Sequence, residues 1–278
     1  MPKPEHPQVL ALLGDPVAHS LSPPVVNAAC AAAGVKGVYV AIRCGEDDLG
    51  GLIRGISRGG AGGNVTLPYK ERAARIVEVP TAAVRRSGAC NTFWRGDDGR
   101  VHGDNTDVAG FQRAVEHLCG RSAQGMRVLL LGAGGAARAV LLALVKDGVD
   151  QVTVRNRSLE RARRVARRIG GFRARVANVQ EDIDGESFDL VVNATSLGMK
   201  ESDGRVLNFE RLRKIGYVLD LVYRADSTRL VQSAVELGIP AADGKEMLVQ
   251  QAAVAFERWW KRPAPIEVMR EAVAAACE

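Results

Sequence analysis

Short apolar runs alternate with stretches of helical periodicity along most of the chain. This alternation is typical of α/β proteins, in which helices join the strands of a largely parallel sheet. The apolar runs predict strands at Gln8–Gly14, Val38–Arg43, Arg127–Leu131, Gln151–Val154, Asp189–Val192 and Tyr217–Leu221. Another strand is expected to end at Asn64–Thr66, and Ala89–Arg95 with Arg100–Gly103 predict a hairpin around the turn at 96–99.

The segments between these runs predict helices with ordinary capping residues. Ser22 is the expected N-cap of a helix from Pro23 to Ala33, which Gly34 ends. Gly148 is expected to end a helix that begins at Ala136. The other predicted helices are Asp47–Ser57, Val108–Leu118, Met247–Trp260 and a short one after Pro265.

The length and composition of the chain favour two domains of ordinary size. Its 278 residues exceed one typical domain, and 46% of them are hydrophobic, which is enough to build cores without disulfides or metals. The five cysteines are scattered, with no spacing that suggests a zinc site or a disulfide framework. Because we find neither a signal-peptide core nor an apolar run of membrane-spanning length, we expect a cytoplasmic protein with no metal site and no membrane partner.

The formal net charge of +6 suits an enzyme whose cofactor and substrate are both anions. Much of the positive excess lies between Arg155 and Arg175, where apolar residues recur at helical spacing. These arginines are therefore interpreted mainly as a solvated helix face, and no nucleic-acid partner is expected.

A glycine cluster follows the predicted strand that ends at Leu131. The run Gly132-Ala133-Gly134-Gly135-Ala136-Ala137 fits G-x-G-x-x-A, the small-residue form of the dinucleotide fingerprint. In this pattern the first glycine makes the turn, the second lets the backbone approach the pyrophosphate, and the alanine allows close packing of helix and strand. The helix that follows would supply amide donors for the phosphates. The alternative is an ordinary glycine-rich turn.

The end of the next strand favours NADP over NAD. An NAD site presents a carboxylate about 20 residues after the glycines, whereas this chain has Asn156-Arg157-Ser158, followed by Arg161. Arg157 and Arg161 are four residues apart and suit a 2′-phosphate. Surface charge alone is the alternative interpretation, and Glu160 is the residue that does not fit an NADP site.

Three polar clusters occupy loops where an α/β protein commonly binds its ligand. They are Ala18–Pro23, Asn64–Glu71 and Gly103–Asp107, the last accompanied by Cys90-Asn91-Thr92 on a nearby strand. Ser20 and His19 do not suggest a hydrolase, because no G-x-S-x-G elbow surrounds the serine. His19 is interpreted as structural.

Together with the glycine loop, these clusters closely resemble the shikimate dehydrogenase family over nearly the whole chain. The matching runs are H-S-L-S-P at 19–23, N-V-T-L-P-Y-K at 64–70, G-A-C-N-T at 88–92, G-D-N-T-D at 103–107, G-A-G-G-A-A-R at 132–138, N-R-S at 156–158, N-A-T-S-L-G at 193–198 and D-G-K-E-M-L-V-Q-Q-A at 243–252. The resemblance implies a reductase that uses NADPH on 3-dehydroshikimate in aromatic amino-acid biosynthesis. It also implies an α/β substrate domain of residues 1–107, completed by C-terminal helices at 244–278, and a Rossmann-type NADP-binding domain of residues 108–243.

The resemblance assigns roles to individual residues. Ser20 and Ser22 would hold the substrate carboxylate with help from Tyr223, and Lys70 and Asp107 would flank the reacting oxygen. The residues implied to bind ring hydroxyls are Asn64, Thr66, Asn91 and Gln251. Leu221 and Gly244 would line the nicotinamide pocket. As hydride reaches the carbonyl carbon, the oxygen becomes alkoxide-like, and a lysine ammonium can stabilise that charge and donate the proton.

Alternatives stay open at this point. Lys70 could be a solvated lysine of a first helical turn, and Asp107 an N-cap. Rival functions are a catabolic quinate dehydrogenase with NAD, a non-catalytic sensor on the same fold, and a paralogue that reduces an amino analogue. Val108 and Lys245-Glu246 depart from the commonest family pattern and put cofactor affinity in question. The protein is expected to be a monomer or a homodimer.

Overall fold

The computed structural model describes residues 7–59 and 62–277. Twelve strands are found in these residues: β1 Gln8–Gly14, β2 Gly37–Arg43, β3 Gly62–Val65, β4 Val79–Pro80, β5 Thr92–Arg95, β6 Val101–Asp104, β7 Arg127–Leu131, β8 Gln151–Arg155, β9 Ala174–Ala177, β10 Ser187–Asn193, β11 Lys214–Asp220 and β12 Ala241–Ala242. The α-helices are α1 Ser22–Ala32, α2 Glu46–Arg58, α3 Lys70–Ile76, α4 Ala82–Ser87, α5 Asp107–Cys119, α6 Gly135–Asp147, α7 Leu159–Val165, α8 Arg229–Glu236, α9 Lys245–Trp260 and α10 Ile266–Ala275. Strands and helices alternate, which confirms the predicted α/β class.

The chain divides into two compact units, and each contains one six-stranded sheet. The described part of the first unit runs to Gly110 and includes 248–276. Its sheet has the order β2-β1-β3-β5-β6-β4 and is mixed, because β5 runs antiparallel to both β3 and β6. Its core contains fully buried side chains such as Leu49, Ile53 and Phe93. The predicted hairpin at 96–99 is therefore the feature that makes this sheet depart from a purely parallel one.

The second unit, 111–247, carries a parallel sheet of order β12-β11-β10-β7-β8-β9. Its central strands are continuous apolar runs that are buried on both faces, as expected for a sheet covered by helices. Leu129, Leu130, Val191 and Val192 are each fully buried. Since the carboxyl ends of parallel strands share one edge, the loops after β7, β8, β10 and β11 lie along the same edge of this sheet.

Several predicted boundaries need correction. Ser22 is the first residue of α1, and Leu21 occupies the N-cap without a side-chain hydrogen bond. The first hairpin strand begins at Thr92 rather than Ala89. The arginine-rich helix ends at Val165 and continues as a π-helical turn, Ala166–Gly170.

Three structural findings concern membrane spans, metal sites and disulfides. No helix of the described residues is long and apolar enough to cross a membrane. Within 7–59 and 62–277, no three His, Cys, Asp or Glu residues gather as a metal site. All five cysteines are free thiols.

Candidate active site

Two serines lie where the loop after β1 enters α1. Ser22 is buried, whereas Ser20 is half-buried, and its hydroxyl oxygen accepts a hydrogen bond from the backbone N–H of Ser22 at 3.2 Å. Two hydroxyl groups therefore stand beside the backbone N–H groups of a helix start, an arrangement suited to a carboxylate. His19, which we expected to be structural, is exposed to solvent.

Lys70 and Asp107 form a largely buried ion pair. Nζ of Lys70 donates to Oδ2 of Asp107 at 2.6 Å, and the two side chains are 15% and 5% exposed. The other carboxylate oxygen of Asp107 accepts a hydrogen bond from Nδ2 of Asn91 at 2.9 Å. The Lys70 ammonium group therefore lies against a carboxylate whose position is fixed by Asn91. A solvated Lys70 is excluded by this burial, and Asp107 is the first residue of α5 rather than its N-cap.

The Asn91 amide connects three elements of the first unit. Its Nδ2 lies within hydrogen-bonding distance of Oγ1 of Thr106 (2.9 Å), Oδ1 of Asp107 (2.9 Å) and Oε1 of Gln251 on α9 (3.3 Å). Its Oδ1 accepts from the N–H of Thr106 at 2.7 Å. The structure therefore brings Asn91, Asp107, Lys70 and Gln251 into one hydrogen-bonded group.

Asn64 is buried in β3, and Thr66 is the first residue after this strand. Nδ2 of Asn64 donates to the backbone carbonyl of Asn91 at 3.0 Å, so its side chain belongs to the same group. Thr66 is half-buried, and its N–H donates to the carbonyl of Leu13 at 2.9 Å, which ties the loop to β1. These bonds hold both side chains beside the helix start that carries Lys70.

Sequence reasoning missed three supporting residues. Thr106 bonds to Asn91, as described above, and Asp104 fixes the backbone just before it. The Asp104 carboxylate accepts hydrogen bonds from Oγ1 of Thr81 at 2.6 Å, Nε of Arg258 at 3.0 Å and the N–H of Asn105 at 2.8 Å. Asp104 and Thr106 lie in the run G-D-N-T-D, which was recognised as a polar cluster. Nothing in the sequence indicated which distant residues they contact. The third residue, Tyr39, bonds to Asn64 at 2.8 Å.

Cys90 precedes Asn91 and is fully buried. Burial raises the pKa of its thiol to about 12. Since the thiolate is the reactive form of cysteine, Cys90 is not a nucleophile at this site. With Cys90 set aside, the Lys70–Asp107 pair is the candidate for proton transfer in this group.

The glycine loop of the second unit lies between β7 and α6. Gly132 has φ of +116°, and a Cβ at this position would lie 2.7 Å from the carbonyl oxygen of Ala194. Gly134 is the N-cap of α6 without a side-chain cap, and nothing lies within 4 Å of where its Cβ would be. The space beside Gly134 is therefore open next to the first-turn N–H groups of α6, which include those of Gly135 and Ala136 and are donors of the kind that bind phosphate. Ala133 lies between the two glycines and is buried.

The segment after β8 carries the two predicted phosphate-binding arginines. Oγ of Ser158 accepts the N–H of Arg161 and caps α7, while Nδ2 of Asn156 donates to the carbonyl of Ser158 at 2.9 Å. The side chains of Arg157 and Arg161 are exposed at this turn. Glu160 pairs with Arg164 one helical turn later. The one carboxylate that did not fit an NADP site is therefore held by another arginine.

Asn193 and Asp220 end the neighbouring strands β10 and β11 and join the loops that follow them. Nδ2 of Asn193 donates to Oδ1 of Asp220 at 2.8 Å, and the hydroxyl of Thr228 donates to Oδ2 at 2.7 Å. Burial raises the pKa of Asp220 to about 6, although these donors act in the opposite direction. This buried network fixes the two loops at the sheet edge that carries the glycine turn.

Leu221 and Gly244, both predicted near the nicotinamide, are brought together in the structure. A Cβ at Gly244 would lie 2.3 Å from the carbonyl oxygen of Leu221. Lys245, which departs from the family pattern, pairs with Asp243 at 3.0 Å. Tyr223 is half-buried in the loop after β11. It belongs to the second unit, whereas the predicted serines belong to the first.

Three family models match the chain. Residues 12–93 match a shikimate dehydrogenase substrate binding domain, residues 114–208 a shikimate/quinate 5-dehydrogenase model, and residues 244–274 a shikimate 5′-dehydrogenase C-terminal domain. These matches include every residue discussed above from the loop after β1, the glycine turn and the start of α9.

Shikimate dehydrogenases from other organisms match over nearly their whole length. A shikimate dehydrogenase (NADP(+)) from Methanothrix thermoacetophila is 41% identical and covers 97% of both chains. One from Methanopyrus kandleri is 39% identical and covers 95% of this chain and 94% of its own. Among solved structures, shikimate 5-dehydrogenase from Thermus thermophilus in complex with NADP(H) and shikimate is 35% identical. Its TM-score is 0.87, with 96% of this chain and 99% of that chain covered.

Proposed function

Because this chain belongs to the shikimate dehydrogenase family, we propose that it catalyses the reversible NADPH-dependent reduction of 3-dehydroshikimate to shikimate, a step of aromatic amino-acid biosynthesis. The observation that carries the proposal is the buried Lys70–Asp107 pair, surrounded by amide and hydroxyl side chains. A polyhydroxylated ring needs many hydrogen-bonding groups of this kind, and a ketone reductase needs an acid beside the carbonyl oxygen.

The substrate is held by groups of matching chemistry. Ser20 and Ser22 bind the carboxylate at the start of α1. The ring hydroxyls are bound by four side chains with amide or hydroxyl groups, namely Asn64, Thr66, Asn91 and Gln251. The carboxylate end and the hydroxyl-bearing ring thus require different groups, which fixes the orientation of the ring.

Lys70 and Asp107 are the catalytic residues. NADPH, when bound, supplies the hydride in reduction, and NADP accepts it in the reverse direction. Nζ of Lys70 stabilises the negative charge that develops on the carbonyl oxygen and donates the proton. Asp107 orients this ammonium through Oδ2, and its own position is set by Asn91 through Oδ1.

The cofactor contacts belong to the second unit. The pyrophosphate would be held by the glycine turn and the start of α6, at Gly132, Ala133, Gly134, Gly135 and Ala136. The 2′-phosphate of the adenosine ribose would be held by the turn Asn156-Arg157-Ser158 and by Arg161. Leu221 and Gly244 line the nicotinamide pocket.

The organisation of the chain follows from these roles. The proposed substrate-binding and catalytic domain is residues 1–107 with 244–278, and the proposed NADP-binding domain is residues 108–243. The compact units of the described residues change at Gly110 and Met247 instead. The five free cysteines are what a reduced compartment allows, so we place the enzyme in the cytoplasm. It acts as a monomer or a homodimer, which light scattering behind size-exclusion chromatography would distinguish.

The decisive experiment is an initial-rate assay of shikimate oxidation at the absorbance of reduced nicotinamide. NADP and NAD are compared in parallel, quinate serves as a second substrate, and the Lys70→Ala variant gives the background. High activity with shikimate and NADP alone supports the proposal. Activity that prefers quinate and NAD would favour a catabolic relative, and no activity from a protein that binds NADP would move the substrate to an analogue.

A further inference from the structure

Gly110 lies inside α5, one helical turn after Asp107, and is buried. Within a helix, glycine is less favourable than alanine, because its backbone loses more freedom on folding. The sequence is therefore locally unfavourable at this position, which indicates that a contact with another element requires the small residue. Residues three apart lie on the same side of a helix, so Gly110 and Asp107 face the same neighbours.

The neighbour of Gly110 is α9, at Gln251. A Cβ at position 110 would lie 2.7 Å from Cβ, 2.9 Å from the backbone nitrogen and 3.0 Å from Cα of Gln251. None of these three atoms moves when the Gln251 side chain rotates about its own bonds. A side chain at position 110 would therefore displace the backbone of α9 or that of α5.

Two side chains hold α9 against the first sheet close to this contact. Nε of Arg258 donates to Oδ2 of Asp104 at 3.0 Å, and Nε1 of Trp259 donates to Oγ1 of Thr92 at 3.1 Å. These bonds hold the helix two turns beyond Gln251. Because α9 is held there, it cannot move away from α5 as a whole, and an added side chain would shift it locally at Gln251.

The side chain of Gln251 is placed by its helix rather than by strong hydrogen bonds. Its Nε2 donates to the carbonyl of Leu248 in the same helix at 2.9 Å. Its Oε1 lies 3.3 Å from Nδ2 of Asn91, the longest of the three contacts described for that nitrogen. Since Nδ2 has only two hydrogens for three acceptors, it would not retain Oε1 if α9 shifted. The position of α9 thus decides whether Gln251 stays in the group that contains Lys70 and Asp107.

We propose that Gly110 is a positioning residue for substrate binding, which acts through Gln251. The absence of a side chain lets α9 lie close enough to α5 to keep the Gln251 amide beside Asn91. This inference rests on the proposed function, because it assumes that Gln251 contacts a ring hydroxyl of the substrate. Gly110 has no side chain of its own and therefore affects the substrate only through its neighbour.

The test is the kcat/KM for shikimate of Gly110→Ala, with rates normalised to the concentration of protein that binds NADPH. This ratio is expected to fall about tenfold, because a displaced binding residue lowers activity even when the reacting groups are intact. The KM for NADP is expected to stay within about twofold, because the proposed cofactor contacts belong to the second unit. An unchanged kcat/KM, or an equal effect on the KM for NADP, would overturn the inference.

Gly55→Ala is the matched control. Gly55 is also a glycine inside a helix of the first unit, α2, but apart from its own helix nothing lies within 4 Å of where its Cβ would be. Alanine is the more favourable residue there, so this variant should fold at least as well as wild type and keep its kcat/KM for shikimate within about twofold. An equal fall in both alanine variants would contradict a specific role for Gly110.

A double-mutant cycle with Gln251→Gly tests whether Gly110 acts through Gln251. Gln251→Gly removes both the amide and the Cβ that would lie nearest to the new methyl group. By itself this variant should lower kcat/KM, and adding Gly110→Ala to it should change the ratio by less than about twofold. Additive effects, or wild-type activity in Gln251→Gly, would overturn the inference.

The same cycle covers a Gly110→Ala variant that does not fold. The double variant should then fold, because its closest contact has been removed, and its kcat/KM should equal that of Gln251→Gly. A double variant that does not fold either would overturn the inference, while wild-type activity with shikimate still supported the proposed function. A wild-type enzyme that is silent with shikimate would overturn both.

Discussion

Nζ of Lys70 lies 2.6 Å from Oδ2 of Asp107, and each residue is the first of its helix. An aspartate is favourable at a helix N-terminus, whereas a lysine is unfavourable there because of the helix dipole. Lys70 therefore contradicts a local preference, and the carboxylate of Asp107 compensates for it. Residues that break a local rule with a specific compensation are expected at functional sites.

Lys70→Ala is expected to lower kcat by about three powers of ten, because the reaction loses both its acid and the charge that stabilises the alkoxide-like oxygen. The variant should be less stable, because the buried Asp107 carboxylate loses its partner, but it should still fold. Steady-state kinetics and circular dichroism measure the two effects. Lys146→Ala, at an exposed lysine of α6, is the control and should be as active as wild type. Near-normal turnover of Lys70→Ala would remove this lysine from the mechanism.

Arg157→Ala is expected to raise the KM for NADPH by about tenfold or more and to leave the KM for 3-dehydroshikimate unchanged. The guanidinium would contact only the 2′-phosphate, so the KM for NADH should not change either. Arg167→Ala, at an exposed arginine of the adjoining π-helical turn, is the matched control. If the two arginine variants behave alike, or if NADH and NADPH are affected equally, the phosphate assignment is wrong.

The fold of the second unit was largely predictable from the sequence. Its strands are buried on both faces, so β7 was found as an uninterrupted apolar run with the correct limits, Arg127–Leu131. The end of α6 was also correct, because Gly148 adopts φ of +80° as a helix-ending glycine does. The limits of β7 and the end of α6 depend on residues that are close together in the chain. A periodic pattern in the sequence records such local relationships, so both could be predicted.

The remaining features depend on contacts between distant residues. Asn91 and Gln251 are 160 positions apart, and no local pattern could have joined them. The family resemblance supplied their shared role, but it did not supply Tyr39, whose place in an apolar strand is that of an ordinary core residue. Ser22 was predicted as an N-cap from residue type alone, whereas the chain enters α1 one residue earlier, at Leu21.

The pH dependence of stability should reveal the buried Asp220. Its pKa is raised to about 6 from 3.8, so the folded protein holds this proton more tightly than the unfolded chain does. The associated stabilisation is full below the unfolded pKa and is lost as the pH rises through about 6, and it amounts to about 3 kcal/mol. The free energy of unfolding of wild type minus that of Asp220→Asn, measured in urea, should fall by up to this amount as the pH rises.

Asp203→Asn provides a control of opposite sign. The pKa of Asp203 is lowered, first by the hydrogen bond from the N–H of Lys200, so its stabilisation is present at neutral pH and is lost as the pH falls. The corresponding difference in the free energy of unfolding should therefore increase with pH. A difference curve for Asp220 that is flat, or that runs parallel to the curve for Asp203, would contradict the raised pKa.

Gly132→Ala and Gly134→Ala should impair different properties of the protein, stability in the first case and cofactor binding in the second. At Gly132, φ of +116° and a carbonyl oxygen 2.7 Å from the new Cβ make an alanine strained in the folded protein, so Gly132→Ala should lower the free energy of unfolding by about 1–3 kcal/mol or more without any cofactor. At Gly134, φ of −87° suits any residue, and the space around its Cβ is open. Gly134→Ala should therefore keep wild-type stability within about 1 kcal/mol.

The same alanine would occupy the space through which the pyrophosphate approaches the start of α6. Gly134→Ala is thus expected to raise the Kd for NADPH by about tenfold or more, as measured by nicotinamide fluorescence. Gly99→Ala, in the hairpin turn of the first unit, is the control for a strained glycine outside the cofactor domain: its φ is +77°, so it should lose stability but bind NADPH as wild type does. If Gly134→Ala bound NADPH normally, the cradle at the start of α6 would not be the phosphate site. If Gly134→Ala instead lost as much stability as is expected of Gly132→Ala, Gly134 would be required for folding rather than for cofactor binding.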